Sequence, residues 1–184
     1  CRPRPPPARG RVVGGTIQGG TLTEAGGAKL YFTPSGGTLD GVTASSDLDL
    51  STFAGTNVHI VNGLTLNNTT VRLGNGSGTT YGTLYFDSTE TLGGTGTIIF
   101  GKSNNNSITE SGYDPYPNGG TLTIGPGITV RGSSGTISAS ASNGKVINQG
   151  TILADDSGGI PGFSNDTGYN NTYYYIGSTS DPID

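Results

Sequence analysis

Few residues in this 184-residue chain are equipped for chemistry, and their spacing limits what they could attempt. His59 is the single histidine and Cys1 the single cysteine. A zinc site takes three or four His, Cys or carboxylate ligands, and a nucleophilic triad sets a histidine between a serine and a carboxylate. His59 alternates with Val58 and Ile60, so it faces outward from its strand with no second His or Cys near it. Asp47 and Asp49 lie two apart and share a strand face, and Asp40 could stack above them. Such carboxylates could bind calcium or act on a polysaccharide. Lys and Arg total only nine, however, and a solvated acidic face is the plainer reading. Gly93-Gly94-Thr95-Gly96-Thr97 has the glycines of a calcium-binding nonapeptide without its Asp. Gly74-Asn75-Gly76-Ser77-Gly78 lacks the Lys-Ser/Thr of a phosphate loop. The chain therefore reads as non-enzymatic, with no catalytic residue, cofactor or metal site expected.

Binding residues are easier to nominate. Residues 101–119 are the longest break in the strand pattern and carry Tyr113, Asp114 and Tyr116, a candidate glycan-binding loop. Thr21 with Thr23, and Thr121 with Thr123, are Thr-x-Thr pairs of the sort that bind ice, but each stands alone.

The elements that must carry these residues are short strands. Only 30% of residues are hydrophobic and 34 are glycine, too thin for a globular core. The order of the residues nevertheless excludes disorder. Leu48 and Leu50, Val58 and Ile60, Leu64 and Leu66, and Val71 and Leu73 alternate with polar residues between Asn and Gly turns. From Gly119 to Ala154, Gly-Thr-Leu/Ile recurs at residues 120, 135 and 150, fifteen apart. One such strand cannot bury its own apolar face, whereas a stack of them covers each in turn. The fold expected is all-β, a parallel β-helix (β-solenoid) without substantial helix. Roughly fifteen to seventeen strands at about three per coil make five or six coils, a rod about 25–30 Å tall. Asn148 falls on the inward register, where a stacked Asn could bond corner backbone groups.

The chain divides into an extended Pro/Arg-rich arm at 1–11, the solenoid at 12–157 and a Tyr-rich acidic tail at 158–184 that offers a last strand or a docking strand. Residue 1 is not Met and the chain has none, as expected of a processed chain or a fragment. No apolar stretch is long enough to span a membrane. Arg2, Arg4, Arg9 and Arg11 crowd the first eleven residues, while residues 155–184 hold five aspartates and no base. Prolines interrupt the arginines and no aromatics lie between them, which makes a poor nucleic-acid site. Opposite charges on a rod without amphipathic end helices favour head-to-tail contact. The assembly residues expected are Arg2, Arg4, Arg9 and Arg11 with Tyr173, Tyr174, Tyr175 and Ile176.

The segments Gly41–Leu50, Val58–Leu66, Leu73–Phe100 and Gly144–Ile152 (GKVINQGTI) resemble the repeats of filamentous-haemagglutinin-like and autotransporter-passenger β-helices of large bacterial surface proteins. The resemblance covers about residues 36–154. It implies a right-handed coil, secretion or display at the bacterial surface, and an adhesive or structural role. The function expected is thus a structural extracellular subunit that assembles with itself into a filament or surface fibre. The alternative is an adhesin gripping surface glycans through the 113–117 loop. A polysaccharide-active enzyme using Asp47 and Asp49 comes third.

Overall fold

Alternation over a few residues gives each strand one narrow apolar stripe, and the chain buries those stripes by coiling. The computed structural model describes residues 9–25, 29–112, 119–140, 144–154 and 174–176. Among them are sixteen strands and no helix. In chain order these begin with β1 (Arg9–Val12), β2 (Thr16–Gln18), β3 (Thr21–Leu22), β4 (Lys29–Phe32), β5 (Thr38–Ala44) and β6 (Leu48–Leu50). Next come β7 (Thr56–Leu73), β8 (Gly82–Phe86), β9 (Glu90–Phe100), β10 (Ser107–Glu110) and β11 (Thr121–Ile124). The last are β12 (Ile128–Gly132), β13 (Gly135–Ala139), β14 (Lys145–Asn148), β15 (Thr151–Ala154) and β16 (Tyr174–Ile176). The first fifteen pair in parallel as a β-solenoid of about six turns.

Three faces surround the core. Face one stacks β1, β4, β6, the ends of β7 and β9, β12 and β15. Face two stacks β2, the starts of β5 and β7, β8, β10 and β13. Face three stacks β3, the end of β5, the middle of β7, the start of β9, β11 and β14. Inward columns run the length of the stack: Leu48, Val71, Ile98 and Val130 on face one, Val58, Leu84, Ile108 and Ile137 on face two, and Val42, Leu64, Leu92 and Ile124 on face three. All are buried. Each such side chain contributes about 1.5–3 kcal/mol on burial, so a core one side chain wide suffices when it is continuous.

Corners explain why few strands are needed for so many rungs. Asn62 and Asn68 adopt φ of 56° and 53°, a left-handed conformation that asparagine tolerates because its short side chain bonds locally. β7 therefore bends through two corners as one 18-residue strand and serves all three faces, where sequence alternation suggests separate short strands.

The fifteen-residue recurrence marks strand starts and is not the length of one coil. Thr121 pairs with Lys145, Thr136 with Ser107 and Thr151 with Thr129, on three different faces. A coil here takes 22 residues from Val130 to Ile152, or 24 from Leu122 to Val146. Residues 101–119 are also not wholly an excursion. β10 lies inside them as a full rung between β8 and β13, with Ile108 and Glu110 buried. A glutamate at an inward position hid that strand from the alternation. Similarly, the stack already includes Arg9, Gly10 and Arg11, residues that composition assigns to the arm.

Candidate functional site

The two ends of the stack differ from its middle in hydrogen bonding and in apolar exposure. A parallel strand inside a solenoid bonds a neighbour on each side, and an end strand leaves one row of N–H and C=O groups open. Among the described residues, β1 at one end pairs only with β4, while β2 and β3 pair only with β5. At the other end, again among the described residues, β14 pairs only with β11 and β15 only with β12. Of the four exposed large hydrophobic residues described, three lie at these ends: Val13 (61% exposed), Ile147 (45%) and Leu153 (43%). Ile147 and Leu153 occupy outward positions filled by Thr123 and Arg131 one rung earlier. The core also thins toward the ends, where Ile17, Leu22 and Ile152 are only partly buried.

The face-two edge of the last coil is different. β16 lies antiparallel on β13, with Gly135 opposite Ile176, Thr136 opposite Tyr175 and Ile137 opposite Tyr174. The Tyr-rich strand is thus paired within the chain. Arg9 and Arg11 stand on β1, and the Arg11 guanidinium sits 5.4 Å over the Phe53 ring, a cation–π contact. Arg2, Arg4, Tyr173 and the loop residues Tyr113, Asp114 and Tyr116 lie outside the described residues.

The carboxylates nominated from the sequence are not gathered. Asp49 is on face one, where it accepts the Ser51 and Thr52 amides at 2.7 and 3.1 Å and both of their hydroxyls. Asp47 accepts the Thr70 amide at 2.8 Å. Asp40 does not stack above them. It belongs to face two, bonded to the amide groups of Gln18 and Asn62. These acids fasten turns and neighbouring coils, and they leave no shared site. Among the described residues no group of three His, Cys, Asp or Glu is placed to hold a metal. No helix there is long and apolar enough to cross a membrane.

Asparagine also falls elsewhere than expected. Asn148 keeps the register position opposite Ile124 but is exposed, and its Oδ1 accepts the Gly150 amide at 3.0 Å. The interior asparagine is Asn106, fully buried at a corner. Its Nδ2 donates to the carbonyls of Gly101 and Ser134, at 3.2 and 3.0 Å, while its Oδ1 accepts the Gly82 amide at 3.3 Å. It therefore ties three successive coils. Glu90 plays a related part, buried opposite Leu122 with its Oε1 accepting the Asn62 amide and the Ser88 hydroxyl. The isolated threonine pair at Thr21 and Thr23 has company in space, since Thr21, Thr43 and Thr65 share one column of face three.

His59 faces outward, as its alternation requires, with its side chain 42% exposed. Its partners, which alternation along one strand does not reveal, come from the next rung. Its Nδ1 lies 2.9 Å from both oxygens of Asp87, and its ring stacks on Tyr85 at 4.9 Å. Comparison with protein-family models, curated proteins and solved structures returns no match.

Proposed function

We propose that this chain is a structural β-solenoid subunit that assembles head to tail into a filament or surface fibre. The observation that carries this reading is the set of five end strands, each with a neighbour on one side only among the described residues. Open parallel edges are templates for another strand. The last coil presents β15 on face one and β14 on face three, and the first coil presents β1 and β3 on the same two faces. A second copy stacked in line would continue both ladders. It would also cover Leu22 and Ile152 with new apolar neighbours. The sequence adds opposite charge near the two termini, four arginines in residues 1–11 and five aspartates in residues 155–184, and opposite charge speeds association of the correct ends. The contact is heterologous, so it propagates and does not close. An extracellular, bacterial-surface setting follows from the resemblance of residues 36–154 to surface β-helices.

Sedimentation velocity over a concentration series tests the reading. The chain should sediment as species that grow with concentration, and the double variant Ile147→Lys, Leu153→Lys should remain an 18.6 kDa monomer. Charge on an edge strand is how natural sheets avoid pairing. A wild-type chain that stays monomeric throughout would overturn the proposal.

A further inference from the structure

Face two carries a cleft whose shape follows from a step in side-chain size. Two successive rungs enter face two as Gly14-Gly15-Thr16 and Gly36-Gly37-Thr38, and the next enters as Asn57-Val58-His59. Thr16, Thr38, His59 and Tyr85 form one outward column. The glycines and threonines leave a floor of backbone and small hydroxyls. The larger His59 and Asn57 rise from the third rung as a wall. The result is an open cleft of about 280 Å³, lined also by Ser35.

The wall is held rigidly. Tyr85 covers one face of the His59 ring, and the other face looks along the column toward Thr38. Asp87 fixes Nδ1, and the Ser111 hydroxyl in turn donates to Asp87 at 2.8 Å. Nε2 makes no hydrogen bond among the described residues, and the side chain is 42% exposed. Asn57 donates through Nδ2 to the carbonyls of Pro34 and Gly55, which turns its Oδ1 over Gly36 in the cleft.

We infer that this cleft binds one ring of a neutral saccharide, with His59 as its stacking wall. No Lys or Arg lines it, so it has no counter-charge for a phosphate or an acidic sugar. It has no apolar side chain among its lining residues, so a lipid tail or an apolar peptide gains little there. A pyranose has what the cleft asks for. Its C–H face packs on a ring π-face, whose quadrupole is negative, and its hydroxyl rim meets the Asn57 Oδ1 and the threonine hydroxyls. Stacked rungs are rigid, so little ordering cost accompanies binding. The end strand β2 supplies Thr16 to the floor of this site, while its wall, Asn57 and His59, stands two rungs further in.

The test is calorimetric titration of the whole chain with lactose, maltose, cellobiose and N,N′-diacetylchitobiose up to about 100 mM, a range that reaches affinities weaker than millimolar. At least one sugar should bind saturably. Binding should fall by roughly tenfold or more, about 1.4 kcal/mol, in His59→Ala and in Thr38→Tyr, which fills the cleft. It should persist in Thr129→Tyr, an equivalent change on face one. Because His59 is the only imidazole in the chain, the bound sugar should also slow its carbethoxylation by diethyl pyrocarbonate. No binding by any of the four sugars would overturn the inference. So would binding that survives both cleft variants, or that is lost equally in the face-one control.

Discussion

A single side chain can hold a coiled chain together when it reaches backbone groups on several rungs. Asn106 does so, and the Gly82 amide and the Ser134 carbonyl depend on it, while the Gly101 carbonyl also accepts the Ser134 amide. Leaving a buried donor or acceptor unpaired costs about 1–3 kcal/mol each. Asn106→Ala should therefore lower the stability seen in urea unfolding by about 2 kcal/mol or more. Asn148→Ala, at an exposed position, should change it by no more than about 0.5 kcal/mol. Equal losses would refute the distinction. Parity along the strand correctly set Asn148 on the inward register, yet parity cannot tell a middle coil from an end one. Asn106 precedes its strand, at a corner, where two-residue alternation says nothing. His59 was legible as an outward residue for the same reason, whereas Asp87 and Tyr85 join it from 28 and 26 residues further on through the register alone.

Among elements, the long bent strands β7 and β9 decide how tightly the coils pack. β9 turns its corner at Gly94, which has φ of 81° and lies so close to the Leu66 carbonyl that no Cβ fits. Gly76 sits in an open turn with nothing near it and an ordinary backbone. Gly94→Ala should destabilise by about 1–3 kcal/mol through backbone strain, and by more from the clash. Gly76→Ala should be neutral or stabilising by about 0.4–1 kcal/mol, since it restricts only the unfolded chain. Urea midpoints of the pair would check this, and similar shifts in both would count against the corner argument. Sequence showed where most strands lie because buried Leu, Ile and Val alternate cleanly. The number of coils was legible as well, while the Gly-Thr-Leu/Ile spacing is not the length of a coil, because that phrase marks a strand start on any of three faces. Sequence alternation passed over β10, and Glu110 at an inward position is the reason. Glu90 bonds the Asn62 amide and the Ser88 hydroxyl, and Glu110 bonds the Gly112 amide at 2.7 Å.

For the molecule as a whole, regular composition and alternation made an all-β solenoid readable in advance. The ends were less readable, because openness is a property of pairing and not of residue type. β16 shows the difference: its tyrosines read as a spare strand, and they pair back onto β13. Among the described residues, β16 leaves the edges of β14 and β15 without a second neighbour, and these strands carry Ile147 and Leu153.

Whether those edges join copies end to end is seen most directly by negative-stain electron microscopy of the chain beside its Ile147→Lys, Leu153→Lys variant. The account predicts filaments one solenoid wide in the first and short single rods, about 30 Å long at six turns of 4.8 Å, in the second. Discrete short rods in both would contradict it.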